Sequence, residues 1–189
     1  MADDQRLYLV RHGETEWSRT HRHTSFTDLP LTETGRAQVG DVGKRLAELD
    51  FSLVLCSPLR RARETCEIAG LIDRSQIEDD LVEWNYGEFE GLTTNEIRRQ
   101  IPGWTVWTHD SPGGESAEDV RARVDRVIEK AVQSNGNTVI FGHGHCLRAL
   151  GARWVGLAVP DGARFTLQTG TLSELGYERE QRAILRWNV

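Results

Sequence analysis

The sequence predicts a three-layer α/β/α sandwich built on a mainly parallel sheet, and three observations predict it. Short, unbroken apolar stretches at Leu7–Val10, Leu53–Cys56 and 138–142 end abruptly in polar or glycine-containing turns, as strands buried on both faces of a parallel sheet do. Helical periodicity follows each of them, giving a strand–helix–strand–helix order and hence right-handed crossovers. The chain has 189 residues, enough for one substantial core, so 1–189 is expected to be a single domain.

Taken in order, the first strand is Leu7–Val10, followed directly by Arg11, His12 and Gly13. Residues 14–31 are polar and aperiodic and read as a loop over the strand end. Thr32 opens a helix in which Ala37, Val42, Leu46 and Leu49 recur at roughly helical spacing and Lys44 and Arg45 stand near the end,. Three glycines weaken it by about 1 kcal/mol each relative to alanine, so it depends on tertiary packing. After the second strand, Pro58 fits the first turn of a helix running to about Ile72. The stretch 75–115 is irregular apart from the helical run TTNEIRRQ. Ser116 with Asp119 approximates a capping box and starts a helix to about Val132. Strand 138–142, helix 146–156 and two strands near 165–176 and 182–187 complete the domain.

Composition narrows the function. Hydrophobic content of 38% and charged content of 28% describe an ordinary globular protein,. A net charge of −6 disfavours a nucleic-acid surface,. No apolar run approaches the roughly 20 residues of a membrane span, and no leader precedes the first strand. Cys56, Cys66 and Cys146 lack metal or redox spacing and are expected to be buried, reduced thiols, so a cytoplasmic location is expected. Among the arginines, the cluster Arg121, Arg123 and Arg126 reads as a solvated helix face.

Parallel sheets bind ligands beyond their strand carboxyl ends. Arg11 and His12 would be delivered there, and Gly13 allows the sharp turn and close approach. The segment TVIFGHGHCLRAL repeats the arrangement, a strand ending in Gly142, His143, Gly144 and His145 ahead of a helix. Two such strand ends suggest one shared site, and converging cations and imidazoles suit an anionic, phosphorylated ligand.

This pairing resembles the histidine phosphatase superfamily, the phosphoglycerate mutase-like family, with its RHG signature and a second late histidine. CSPLRRARET (56–65) looks like the segment that places Arg61 on the phosphate, and LVEWNYGEFEG (81–91) looks like the one that bears the acid, Glu83. Four motifs in family order cover nearly the whole chain. The resemblance implies a phosphoglycerate mutase-like fold, a small phosphorylated metabolite as substrate and no metal or other cofactor; an exposed edge strand could pair, so a monomer or a homodimer is expected. It is nearer to phosphatase branches, including fungal sedoheptulose-bisphosphatase and an actinobacterial acid phosphatase. Ser18 and His145 replace asparagines usual in mutases, and only 60 positions separate Glu83 from His143, where mutases insert a longer segment that covers the site.

The roles follow from that resemblance. His12 is the candidate nucleophile, forming a phosphohistidine that water hydrolyses. Arg11 and Arg61 are the charge clamp, with Arg60 the competitor for Arg61. His143 would stabilise the transition state, and Glu83 would protonate the leaving group, with Glu88 and Glu90 as alternatives. Thr24, Ser18, Ser57, Gly144 and His145 are expected substrate contacts. Trp104 and Trp107 could wall the site or staple its roof to the core. Three other readings stand beside this one: phosphoglycerate mutase-type transfer, a metal hydrolase using His21/His23 and His143/His145, and a catalytically silent phospho-ligand-binding protein.

Overall fold

The computed structural model describes residues 5–189. Its sheet has six strands, β1 (Leu7–Arg11), β2 (Leu53–Cys56), β3 (Gln76–Ile77), β4 (Thr138–Gly142), β5 (Leu172–Glu178) and β6 (Gln181–Arg186), in the order β3-β2-β4-β1-β5-β6. The four strands β3, β2, β4 and β1 run parallel, and β5 and β6 close the edge antiparallel. The mainly parallel sheet is thus observed.

The register is what builds the site. Arg11 lies opposite Gly142 and Cys56 opposite Phe141, so three adjacent strands end level. Ladder bonds continue past those ends, from His12 N–H to Gly142 O (3.0 Å) and from Ser57 N–H to Phe141 O (3.0 Å). His12, Ser57 and His143 therefore emerge side by side.

Alternation along the strands makes the layers. Leu7, Leu9, Leu55 and Ile140 point to the side of helices α5 (Ala117–Gln133) and α6 (Gly144–Trp154), while Tyr8, Val10, Val54, Val139 and Phe141 face α2 (Glu33–Leu46) and α3 (Arg60–Ile68). Two helices remain: α1 (Glu16–Arg19), boxed by Thr15 and Ser18, and α4 (Thr94–Gln100), boxed by Thr93 and Glu96. The expected Ser116–Asp119 box starts α5. Cys56, Cys66 and Cys146 are buried free thiols. No helix among the described residues is long and apolar enough to cross a membrane.

Several boundaries differ from the sequence reading, each for a local reason. Pro58 precedes α3 instead of opening it, and α3 stops at Ile68 because Gly70 turns the chain at φ +74°,. The stretch 14–31 holds α1, and 75–115 gains β3 and two single 3-10 turns. Helix α6 begins two residues early, at Gly144, with His143 as its N-cap, and β5 begins only at Leu172. Arg123 is not on a solvated face: it is 5% exposed, whereas Arg121 and Arg126 sit outside on Glu118, Asp125 and Asp80.

Two of the three α2 glycines have packing reasons. A Cβ on Gly35 would stand 2.2 Å from the Glu14 carbonyl oxygen, and one on Gly43 3.2 Å from the Ala69 Cα. Gly40 has nothing within 4 Å.

Candidate active site

Beyond the three strand ends lies a cavity of about 190 Å³ bounded by Arg11, His12, Ser18, Thr24, Glu83, Gly144 and His145, together with His21, Arg22, His23, Tyr86 and Arg148. Seven of the ten residues singled out from the sequence thus share one wall. Ser57, Arg61 and His143 lie behind it, each wholly buried.

His12 is fixed by one bond. Its Nδ1 lies 2.7 Å from the Gly13 carbonyl oxygen. A carbonyl only accepts, so Nδ1 carries the proton and Nε2 keeps its lone pair. Burial, then the charges of Arg61 and Arg11, hold its pKa well below the ordinary imidazole value of 6.5,. The ring is neutral at any pH near neutrality.

His143 stands 5.2 Å from His12, centroid to centroid. Its Nδ1 accepts from Arg61 Nε–H (3.1 Å), so the proton resides on Nε2, 2.7 Å from Ser57 Oγ,. Burial, Arg61 and His12 push its pKa down in turn. Both nitrogens are engaged, and Ser57 holds this ring instead of lining the cavity.

Arg61 also carries a loop. Its Nη1 donates to Thr27 O (3.2 Å) and its Nη2 to Thr24 O (3.3 Å) and Ser25 O (3.0 Å), leaving one Nη1 N–H. From the other side Glu90 Oε1 accepts from the N–H groups of Ser25 (3.1 Å) and Thr27 (2.7 Å). Loop 24–27 is therefore clasped through its backbone. Arg60, by contrast, faces out and pairs with Glu64 (2.7 Å), and Glu88 is exposed.

Arg11 bonds Leu167 O through Nη1, while its Nε–H is buried and has no partner among the described residues. An unmade bond on a buried guanidinium is costly, and a phosphate oxygen would satisfy it. A Cβ on Gly144 would come within 3.3 Å of the Arg11 Cζ, so glycine there leaves room for this head group.

Glu83 sits at the N-terminus of α6. Oε1 accepts from Trp84 N–H (2.8 Å) and Cys146 N–H (2.8 Å), and among the described residues Oε2 accepts only from His145 N–H (3.0 Å),. Oε2 is the oxygen with capacity left for a proton. Tyr86, its pKa pushed well up by burial and by Glu83, keeps its hydroxyl proton, and its Oη lies 2.6 Å from His145 Nδ1.

Sequence reasoning left Arg148, Tyr86 and His23 without a place in the phosphate site. Arg148 was visible in principle: it follows Gly144 by four residues and so shares its helix face. It lies over Trp107 at 4.7 Å and bonds Gly162 O (3.1 Å) and Ala163 O (3.2 Å). His23 packs edge-on against Trp104 and its Nε2 meets Thr94 Oγ1 (3.2 Å). Trp104 and Trp107 are both buried and pack on Phe89 and Trp84, so they act as staples.

Comparison with known proteins agrees with this geometry. The family model of the histidine phosphatase superfamily (branch 1) matches residues 7–189. An acid phosphatase of Mycobacterium tuberculosis is 42% identical over 185 residues, covering 96% of this chain and 91% of the relative. Sedoheptulose 1,7-bisphosphatase of Saccharomyces cerevisiae is 34% identical over 186 residues, covering 82% of this chain and 69% of the relative. The structure of the open reading frame Rv3214 of M. tuberculosis superposes with a TM-score of 0.93 at 41% identity, covering 98% of this chain and 97% of that one.

Proposed function

The chain belongs to the histidine phosphatase superfamily, branch 1, and from that premise we propose that it is a metal-independent phosphatase of small phosphomonoesters acting through a phosphohistidine on His12. The observation that carries this reading is the His12 Nδ1–Gly13 O bond, which leaves Nε2 bare and neutral at the mouth of a cationic cavity.

The Nε2 lone pair attacks phosphorus in line and forms the N–P bond as the P–O bond to the leaving group breaks. The leaving oxygen takes the proton that Glu83 holds on Oε2. Water then attacks the phosphohistidine and gives its proton to Glu83. The N–P bond breaks, and its electron pair returns to Nε2, so His12 and Glu83 end as they began. Arg11 meets the phosphate through its unpartnered Nε–H, and the remaining Nη1 N–H of Arg61 adds charge from behind. The neutral His143 ring fixes the Arg61 plane and borders His12. Ser18, Thr24, Gly144 and His145 line the leaving-group side. The mixed wall of Arg148, Tyr86, His145 and His23 fits a polar metabolite of sugar-phosphate size.

Incubation with p-nitrophenyl phosphate in the presence of chelator, quenched in alkali, tests the reading. Wild type is expected to turn over and to show phosphate on the His12 peptide by mass spectrometry, and His12→Gln to show neither. Turnover abolished by chelator, or retained by His12→Gln, would overturn it.

A further inference from the structure

Glu83 arrives on a segment with no strand or helix of its own, between single 3-10 turns at Asp79–Leu81 and Gly87–Phe89. Something else must hold its backbone. Arg123 of α5, 5% exposed, does so from three directions. Its Nη1 donates to Asp80 O and Val82 O, both at 2.8 Å, which brackets the residues just before the acid. Its Nε and Nη2 fork onto the Glu115 carboxylate at 2.8 and 3.1 Å. Nη1 also reaches Cys146 Sγ (3.4 Å), on the residue whose N–H holds Glu83 Oε1.

Glu115 completes the clamp on the far side of the acid. Its Oε2 accepts from Asn85 N–H (2.8 Å), its own N–H donates to Asn85 O (3.0 Å), and its carbonyl accepts from the Trp84 indole (3.0 Å). The segment 80–85 is thus gripped before and after Glu83 by one ion pair. A lysine could not do this: one ammonium can stand in for Nη1 on the two carbonyls or for the fork on Glu115, but not for both, while the planar guanidinium reaches all of them in fixed geometry,.

We propose that Arg123, with Glu115, is a positioning residue that sets the reach of the Glu83 proton to the leaving oxygen. The proposal rests on the acid role given to Glu83 above. A displacement of about 1 Å at such a group costs on the order of 100-fold, and in kcat/KM, which reads the steps up to leaving-group departure and not the later hydrolysis, the loss falls only on substrates whose leaving group needs a proton.

The test is kcat/KM for p-nitrophenyl phosphate, whose leaving group departs unaided, against glycerol phosphate, whose alkoxide does not. Arg123→Lys is expected to lose about 100-fold on glycerol phosphate and less than about threefold on the aryl ester. Glu83→Gln should show the same selectivity, and thermal unfolding should confirm that both variants are folded at the assay temperature. Should Arg123→Lys not fold, Glu115→Gln, which keeps the carbonyl contacts, is expected to show the selectivity at about 10-fold. Equal losses on both substrates in the Arg123 and Glu115 variants, with Glu83→Gln still selective, would overturn the positioning role alone. An unselective Glu83→Gln would overturn the acid assignment and this proposal with it.

Discussion

Gly35 lies on α2, outside the cavity, yet it is predicted to control the placing of His12. Alanine in a helix interior normally improves on glycine by about 1 kcal/mol. At Gly35 the added Cβ would stand 2.2 Å from Glu14 O and 2.6 Å from Glu14 N, against an ordinary contact of 3.4 Å or more. The approach is mutual, since a Cβ on Gly13 would stand 2.3 Å from Gly35 O. Glu14 must therefore retreat by about 1 Å, dragging Gly13, whose carbonyl fixes the His12 tautomer and ring plane. Overpacking of this kind costs about 1–3 kcal/mol, and a 1 Å error at a reacting atom about 100-fold in kcat/KM. The assay is kcat/KM for p-nitrophenyl phosphate together with urea unfolding, with Gly40→Ala as the matched control. That glycine shares the helix but meets nothing, so its variant should be fully active and more stable by about 0.5–1 kcal/mol,. Gly35→Ala with kcat/KM within threefold of wild type would refute the chain of contacts from α2 to His12.

Two further outcomes are expected. Burial lowers the His23 pKa from 6.5 to about 4, so the unfolded chain binds its proton first and stability is lost as pH falls from 6.5 towards 4; at most about 2–3 kcal/mol should disappear between pH 7 and 4.5. Urea titrations of His23→Gln should show a flatter pH dependence by that amount, and a profile parallel to wild type would count against it. Gly144→Ala, which presses on Arg11 at 3.3 Å, should weaken inhibition by inorganic phosphate about 10-fold, with aryl and alkyl esters affected alike; unchanged inhibition would mean that the Arg11 Nε–H does not meet phosphate.

Much of this was legible in the sequence because strand ends are written locally. Apolar runs halted by Arg11-His12-Gly13 and by Gly142-His143-Gly144 declare both a parallel strand and what lies past it, and the register of β1 on β4 then joins them. The capping box at Ser116 was equally local. What escaped depended on partners distant in sequence. Three arginines at 121, 123 and 126 look alike as composition, yet Arg123 falls within the stripe of Val120, Val124 and Val127 that α5 buries, and Glu115 with the carbonyls of Asp80 and Val82 makes its burial tolerable. Ser57, expected as a substrate contact from the family resemblance, lies behind the cavity, where its hydroxyl meets a histidine 86 positions away.

The clasp on loop 24–27 bears on how such a site can diversify. Arg61 grips carbonyls and Glu90 grips N–H groups, and every amino acid except proline supplies both. The loop's identity is thereby uncoupled from its placement. Thr24 borders the cavity and Phe26, on the same loop, stands 55% exposed, so both can drift, or be randomised in a library, while their main chain stays where Arg61 and Glu90 hold it. New side chains can thus be tried one at a time on the rim, with Arg61 and His143 behind the wall left undisturbed.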